Sequence, residues 1–148
     1  MPEPATAGRV LGGRYRLDRE LARGGMATVW IAEDPLLSRR VAVKLLLPQL
    51  AVDDALRLRF RNEAIAAAKL THPGIVATYD TGDDDGTAYI VMELVEGTTL
   101  RRVIDERGRL PVPEAADIAS QVADALEHAH RQGPVSYTHL TLPTIYSV

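Results

Sequence analysis

Alternating apolar and charged positions predict strands in the first third of the chain. Residues 14–21 place Tyr15, Leu17 and Leu21 on one side of a strand, and the other side carries charge: Arg14, Arg16, Asp18 and Glu20. Residues 27–32 are predicted to return as the second strand of a hairpin, after a turn at residues 23–25. Residues 39–46 form a third strand, which ends before Pro48 because proline cannot continue the ladder of hydrogen bonds.

Residues 53–70 change to the spacing of a helix. One stripe of this helix is formed by Leu56, Phe60, Glu63, Ala67 and Leu70. A His-Pro-Gly break at residues 72–74 ends the helix. Two further strands are predicted at residues 75–80 and 88–94, joined by a polar turn at residues 82–86. This part of the chain therefore predicts five strands with one inserted helix.

Two helices are predicted in the remainder of the chain. The short one covers residues 99–106, and the long one covers residues 113–131 with Gly133 at its C-terminal cap. The long helix has one apolar face, formed by Ile118, Val122, Ala125, Leu126 and Ala129. A sheet with one helix, followed by helices alone, predicts an α+β fold.

Composition narrows the classes of function. The 148 residues include 17 basic and 20 acidic ones, and the formal net charge of −3 argues against non-specific binding to nucleic acid. The absence of cysteine excludes a disulfide scaffold, a cysteine-ligated metal site and a thiol nucleophile. No apolar run reaches the ~18 residues that cross a bilayer, and residues 1–13 do not have the pattern of a secretory signal. We therefore expect a cytoplasmic domain without a membrane segment.

Two charged residues occupy positions where the pattern is apolar. Glu63 lies within the stripe of the predicted helix, and Lys44 shares a strand face with Ala42 and Leu46. Burying an unpaired charge is costly, so both positions are explained if the helix packs on the sheet and Glu63 pairs with Lys44. In the alternative interpretation, Lys44 extends to solvent and Glu63 lies at the rim of the stripe. Lys44 is also unusual because the chain has only one other lysine, Lys69.

The turn at residues 23–26 is a second candidate site. Gly24 and Gly25 offer backbone N–H groups without side-chain bulk, which suits a phosphate group. Hairpins also use glycine for conformation alone, so this turn by itself is weak support for a phosphate site. Together with a lysine on a strand and an inward carboxylate on a helix, it forms a much more specific set.

These segments resemble a protein kinase, in particular the bacterial Ser/Thr kinases of the eukaryotic-like type. The glycine loop of that family is similar to LARGGMATVWIAED (21–34), and its third-strand lysine motif to VAVK (41–44). The family's C-helix resembles FRNEAIAAAKLTHPGIV (60–76), and its hinge resembles YIVMELVEGTTL (89–100). The helix before the catalytic loop resembles QVADALEHAHRQG (121–133). A dinucleotide-binding fold is excluded because no helix follows the glycine turn.

The resemblance implies the small lobe of a kinase, with a five-stranded antiparallel sheet and a C-helix, followed by the first helices of the large lobe. It implies that Lys44 holds the α- and β-phosphates of ATP and that Glu63 orients Lys44. Gly24, Gly25 and the amide of Met26 would cover the phosphates.

The remaining implied contacts are to the adenine of ATP. Leu21, Val29 and Ala42 would sandwich the ring, and Met92 would be the gatekeeper at the back of the pocket. At the hinge, the carbonyl of Glu93 and the amide of Val95 would bond the edge of the ring.

Two positions depart from the family's G-x-G-x-x-G-x-V pattern. The first glycine is Ala22 here and the third is Ala27. These alanines support an alternative interpretation, a pseudokinase or a nucleotide- or partner-binding module that transfers no phosphoryl group. Lys44 and Glu63 favour an ATP-dependent Ser/Thr protein kinase that uses ATP and Mg²⁺ and acts on proteins.

The end of the chain departs from the kinase pattern altogether. Kinases place a catalytic Asp, an Asn and an Mg²⁺-binding Asp beyond the position of Gly133, but no Asp follows Asp124 here. We therefore expect no metal ligands among these 148 residues and no catalytic activity from them alone. Residues 135–144, VSYTHLTLPT, equal the translation of a common transposase-type sequencing adapter. We expect residues 134–148 to be a non-native tail.

The expected organisation has four parts. Residues 1–13 are a flexible lead-in, residues 14–97 the small lobe and hinge, residues 98–133 the first helices of a truncated large lobe, and residues 134–148 the tail. The resemblance implies ATP and protein substrates as partners, and a homodimer through the small lobe. It also implies a cytoplasmic kinase, with any membrane anchor of the parent protein in a later segment.

Overall fold

The computed structural model describes residues 2–132 and the backbone of residues 146–147. The chain divides into two compact units. The first comprises Met1–Ile65 and Thr78–Leu94, and the second Ala66–Ala77 and Val95–Val148. Within the described part of the chain, no helix combines the length and the apolar character that crossing a membrane requires.

A six-stranded antiparallel sheet forms the centre of the first unit, in the order β1-β2-β3-β4-β6-β5. Its strands are β1 (Val10–Leu11), β2 (Tyr15–Arg23), β3 (Ala27–Asp34), β4 (Arg39–Leu46), β5 (Thr78–Asp84) and β6 (Thr87–Met92). Helix α1 (Asp54–Ala68) follows β4. The five predicted strands and the inserted helix are therefore present, and β4 has the predicted bounds.

The sixth strand corrects the prediction of a flexible lead-in at residues 1–13. Val10 and Leu11 pair with β2, and Leu11 is fully buried. The Arg9 guanidinium donates to the Asp84 carbonyl at 3.3 Å and to the Thr87 hydroxyl at 3.1 Å. A strand of two residues is too short to show the period of two, so its sequence carries no strand pattern.

The β5–β6 hairpin also differs from the prediction. Strand β5 begins at Thr78, and Ile75 belongs to the second unit. The turn is only Asp85–Gly86, with φ of 51° and 85°, and not residues 82–86. Positive φ at both residues is typical of the tightest hairpins, which favour Asp-Gly. Gly82 lies within β5, where a Cβ atom would come within 2.5 Å of the Tyr89 hydroxyl.

The two faces of the sheet carry separate cores. One core includes Leu11, Tyr15, Leu17, Trp30, Val41, Val43 and Val91. The other lies between the sheet and α1, and contains Ala27, Leu46, Ala51, Phe60, Ala64, Ala88 and Ile90. The predicted stripe of α1 is therefore correct for Phe60 and Ala67, which are buried. Leu56 is only half-buried, and Leu70 is buried but lies beyond the end of the helix.

The second unit contains β7 (Thr98–Thr99), α2 (Leu100–Arg107), α3 (Val112–Arg131) and β8 (Tyr146–Ser147). Strands β7 and β8 pair in parallel. Thr99 caps α2, its hydroxyl accepting from the Arg102 N–H at 3.1 Å. The predicted face of α3 is confirmed: Ala125 and Ala129 are buried against Leu70 and Ile75. The predicted cap at Gly133 and most of the predicted tail lie outside the described residues.

Candidate functional site

The strand register gathers four predicted site residues on one face of the sheet. Val29 of β3 lies opposite Lys44 of β4, and Ala42 of β4 lies opposite Met92 of β6. Residues directly opposite share a face, and so do residues two apart in one strand. Val29, Ala42, Lys44 and Met92 therefore lie side by side. This is the face covered by α1, because Leu46 lies two residues after Lys44 and packs with the helix.

The predicted ion pair is present on this face. Lys44 Nζ lies 3.6 Å from Glu63 Oε1. The two side chains are 19% and 26% exposed, so the pair is only partly shielded from solvent. Glu63 is one turn beyond Phe60, whose buried ring fixes α1 against the sheet. The packing of α1 therefore determines where Glu63 meets Lys44.

The glycine turn joins β2 to β3 through residues 24–26. The Gly24 N–H donates to the Ala27 carbonyl at 2.9 Å and closes the turn. Neither Gly24 nor Gly25 has a positive φ. A Cβ atom at Gly24 would make only an ordinary contact at 3.7 Å, and one at Gly25 would meet nothing within 4 Å. Neither the backbone conformation nor the packing requires glycine at these two positions.

Leu21 and Met26, on either side of the glycines, are exposed. Leu21 is 46% exposed and Met26 is 43% exposed. The prediction that Leu21 lies on the same side of β2 as Tyr15 and Leu17 is wrong, because Tyr15 and Leu17 are fully buried whereas Leu21 is exposed. Two irregularities in the β2–β3 register, after Leu17 and after Glu20, interrupt the alternation.

The hinge residues follow the end of β6. Met92 is half-buried and packs against the core between the sheet and α1. Glu93 and Val95 are both half-buried, and Val95 belongs to the second unit.

The sequence did not indicate the contact that ties α1 to the β5–β6 hairpin. The Arg57 guanidinium forms an ion pair with the Asp83 carboxylate. Arg57 also donates to the carbonyls of Ala51 at 3.4 Å and Gly86 at 3.3 Å. Charged residues in a helix and a turn look like ordinary solvent-facing positions, so no pattern signalled this contact.

Asp34 is a second polar contact that the sequence did not indicate. Its carboxylate is fully buried and accepts two hydrogen bonds from Arg14, each 2.9 Å long, and one from Arg39 at 3.2 Å. The two bonds from Arg14, with the one from Arg39, lower the pKa of Asp34 to about 2 despite the burial. Asp34 therefore fixes the β3–β4 turn to the start of β2.

No group of three or more His, Asp or Glu side chains among the described residues is arranged to hold a metal ion. The described residues do fit the phosphates of a nucleotide. A half-buried ammonium is paired with a carboxylate, and the glycine turn leaves open space beside Gly25.

The fold and this face together define the small lobe of a protein kinase: an antiparallel sheet with one helix, a Lys–Glu pair between them and a glycine turn. The family model described as "Protein kinase domain" matches residues 15–140. The chain belongs to this family, and the family resemblance inferred from the motifs is confirmed. Protein kinases as a family use ATP with Mg²⁺ and act on protein substrates.

Curated relatives are bacterial serine/threonine kinases. The chain is 49% identical over 138 residues to serine/threonine-protein kinase PksC of Streptomyces coelicolor, covering 87% of this chain and 25% of the relative. It is 46% identical over 133 residues to serine/threonine-protein kinase PknA of Mycobacterium tuberculosis, covering 86% and 31%. The chain therefore spans only about a quarter to a third of these relatives.

Solved structures agree with the assignment. The crystal structure of the Mycobacterium tuberculosis PknI kinase domain superposes with a TM-score of 0.77 at 32% sequence identity. The match covers 93% of this chain and 60% of that chain. The predicted α+β kinase fold is thus confirmed.

Proposed function

We propose that this chain is the nucleotide-binding part of an ATP-dependent Ser/Thr protein kinase. The whole protein would transfer the γ-phosphoryl group of ATP to hydroxyl groups of protein substrates. The observation that carries the proposal is the Lys44–Glu63 pair on the sheet face beside an open glycine turn. The names of the curated relatives support the same activity. Nothing in the geometry favours the pseudokinase alternative over it.

In this proposal each residue of the face has one role. Lys44 donates to the α- and β-phosphates, and Glu63 holds the Lys44 ammonium in position through its carboxylate. Gly24, Gly25 and the N–H group of Met26 cover the phosphates.

The adenine ring would lie on the apolar part of the face. Leu21, Val29 and Ala42 sandwich the ring, and Met92 is the gatekeeper at the back of the pocket. The Glu93 carbonyl and the Val95 N–H bond the edge of the ring.

Mg²⁺ would neutralise the phosphates when ATP is bound. The described residues hold no suitable cluster of ligands, so no step is assigned to a metal bound by them. The proposal assigns the Mg²⁺ ligands and the catalytic Asp to kinase sequence beyond Gly133. It places the kinase domain in the cytoplasm, where ATP is available.

A titration of the chain with MgATP tests this proposal. Lys44→Met is expected to weaken ATP binding by about tenfold or more, the loss that follows when about 1.4 kcal/mol of interaction is removed. Lys69→Met is the matched control, because Lys69 is the chain's other lysine and is exposed. If the two variants bind ATP equally well, Lys44 is not the phosphate-binding residue.

The small lobe would also form a homodimer. The β3–β4 turn carries two exposed apolar residues, Leu36 and Leu37, which are 71% and 57% exposed. Sedimentation equilibrium tests this contact: a Leu36→Asp, Leu37→Asp variant is expected to be monomeric where the parent chain dimerises. Val52→Asp, at another exposed apolar residue, is the control.

A further inference from the structure

A cavity of the first unit lies on the face of the sheet that α1 does not cover. Its volume is about 320 Å³, and small-molecule sites start at about 300 Å³. The lining includes Thr28, Trp30, Leu45 and Thr87 from the sheet, and residues 2–5 of the N-terminal segment. The described lining contains none of the residues assigned to the nucleotide, so the cavity is separate from the proposed ATP site.

The strand register places two threonines on either side of an apolar strip in this cavity. Thr28 lies two residues before Trp30 in β3, and Thr87 lies two residues before Tyr89 in β6. Trp30, Leu45 and Tyr89 belong to the core on this face, so both threonines share it. Strand β4 runs between β3 and β6, and its Leu45 lies opposite both Thr28 and Tyr89. The two threonines are therefore at least two strand spacings apart, or roughly 10 Å.

The hydroxyl groups of these threonines have unused donor capacity. Thr28 and Thr87 are buried, with 5% and 4% of their surfaces exposed. The Trp30 indole N–H donates to the Thr28 hydroxyl at 3.2 Å, and the Arg9 guanidinium donates to the Thr87 hydroxyl at 3.1 Å. Neither hydroxyl donates to an acceptor in the described part of the chain. A hydroxyl also carries a proton to donate, and a buried donor without an acceptor is unfavourable.

The charged groups around the cavity favour a neutral ligand. Arg23 lines the cavity, but its guanidinium is bound to the Glu20 carboxylate by hydrogen bonds of 2.9 and 3.2 Å. Arg9 lies 3.5 Å from the Asp84 carboxylate. Both arginines are therefore already neutralised, and the exposed Glu3 adds a negative charge to the lining. An anionic ligand would lose its hydration here without gaining a cation as a partner.

We propose that this cavity binds a neutral, flat aromatic molecule with an acceptor oxygen at each end. The ring packs on the Trp30 indole and on Leu45, because flat apolar surfaces suit an aromatic side chain. One oxygen accepts from the Thr28 hydroxyl and the other from the Thr87 hydroxyl. The separation of the two hydroxyls thus selects for the length of the ligand, and the apolar strip selects for its ring.

The N-terminal segment covers such a ligand. Ala5 packs against the core on this face, and the Arg9 guanidinium donates to the Glu3 carbonyl at 3.2 Å. These contacts hold residues 2–5 over the end of the sheet. The segment excludes water from the hydrogen bonds that the ligand makes with the two threonines.

The fluorescence of Trp30 measures occupation of the cavity, because Trp30 is the only tryptophan of the chain. The probe is dimethyl naphthalene-2,6-dicarboxylate, a flat neutral diester whose ring absorbs where indole emits. Titration into the full chain is expected to quench the Trp30 emission to saturation. Excess ATP should not restore the emission, since the cavity contains none of the residues assigned to the nucleotide.

Substitution of the threonines tests the two hydrogen bonds. Thr28→Val and Thr87→Val keep the shape of the side chain, and each is expected to weaken binding by about fivefold, the loss of one hydrogen bond. Thr28→Ser and Thr87→Ser keep the hydroxyl and should bind the probe nearly as well as the parent chain. Thr81→Val is the matched control: the Thr81 hydroxyl donates to the Tyr89 carbonyl at 3.0 Å and lies outside the cavity lining.

Four results would overturn the inference. They are an absence of saturable quenching, restoration of the emission by ATP, equal affinity of the parent chain and both valine variants, and equally tight binding of 2,6-diisopropylnaphthalene in competition. The last compound has the same ring and no oxygen, so it tests the hydrogen bonds without any substitution in the protein. The test therefore does not depend on whether each valine variant folds.

Discussion

The Lys44–Glu63 pair is partly open to solvent, with 19% and 26% of the two side chains exposed. Ion pairs in such surroundings contribute little to stability, because water screens the charges and both side chains lose freedom. In the proposed nucleotide site, the pair would instead position the Lys44 ammonium. Stability and ligand binding should respond very differently when the pair is broken.

Replacement of the Glu63 carboxylate tests this distinction. Glu63→Gln keeps the shape of the side chain and removes its charge, so we expect ATP to bind several-fold more weakly while the free energy of unfolding changes by about 1 kcal/mol or less. Calorimetric titration and a thermal melt measure the two quantities. Glu106→Gln, at an exposed position of α2, should change neither. A large loss of stability with normal ATP binding would show that the pair is structural.

Asp34 is the opposite case, a fully buried carboxylate whose partners are arginines. Its pKa falls from 3.8 to about 2 on folding, so the unfolded chain binds the proton more tightly. This contribution to stability is complete above about pH 4 and is lost as the pH falls toward 2. Asp34→Asn should lower stability at neutral pH by ~2 kcal/mol, the scale of charged hydrogen bonds.

The same variant should show a smaller loss of stability between pH 4 and pH 2 than the parent chain does. Urea unfolding at several pH values measures both effects. Equal stability of the two proteins at neutral pH would contradict the role assigned to the buried carboxylate.

The contacts of these charged residues differ in how well they can be predicted from the sequence. Lys44 and Glu63 are charged residues at apolar positions of their predicted elements, and such a position indicates a partner of opposite charge. Arg57 and Asp83 interrupt nothing, because Arg57 lies outside the predicted apolar stripe of α1 and Asp83 lies in a polar turn, so only the folded chain reveals their contact. Asp34 is similar: it follows the strand predicted at residues 27–32 and immediately precedes Pro35, where an exposed turn is the ordinary expectation.

The fold does not require glycine in the turn between β2 and β3. Gly24 and Gly25 have ordinary φ values and room for a Cβ atom. A ligand that approaches the backbone gives a reason for the missing side chains. An alanine in this turn should therefore leave folding unchanged and weaken nucleotide binding.

Alanine substitutions at two glycines separate these effects. Gly25→Ala is expected to leave the melting temperature unchanged and to weaken ATP binding several-fold, because the methyl group lies where the phosphates approach. Gly82→Ala is the contrasting variant: its Cβ atom would come within 2.5 Å of the Tyr89 hydroxyl and should lower the melting temperature. ATP binding by Gly25→Ala as tight as that of the parent chain would contradict the assignment of the turn.

Among the secondary-structure elements, the long periodic ones follow from the sequence. Strand β4 and helix α3 agree with the predicted bounds to within one residue, since each presents one continuous apolar face. Strand β1 has two residues and no period, and Leu21 is displaced by irregularities that depend on pairing with β3. Such details depend on pairing between segments that are distant in the chain, so the local sequence pattern does not predict them.

The chain covers only about a quarter to a third of the curated relatives named above, so the activity of the complete protein depends on sequence beyond this site. The family match extends to residue 140, six residues beyond the point where the adapter-like sequence begins. The origin of residues 134–148 stays a prediction. Because this prediction concerns the DNA that encodes the tail, sequencing of the source DNA tests it.

Sequencing of the source genome across codon 133 provides that test. We expect the reading frame to continue into the H-R-D and D-F-G motifs of a kinase, because residues 121–133 lead toward a catalytic loop. Amplification from a second, independent DNA preparation controls for library artefacts. A genomic frame that reads VSYTHL and then stops would make the tail native and would contradict the adapter explanation.

The assignment of Lys44 as the lysine that holds the nucleotide phosphates is tested most directly by an ATP analogue with a reactive acyl group on its terminal phosphate. Such a probe acylates a lysine amine that lies beside bound phosphates, and this chain has only Lys44 and Lys69 to compare. Mass spectrometry of the labelled peptides should show Lys44 acylated, excess ATP suppressing this label, and Lys69 labelled weakly and unaffected by ATP. Equal labelling of both lysines, with no protection by ATP, would contradict a nucleotide site on this face of the sheet.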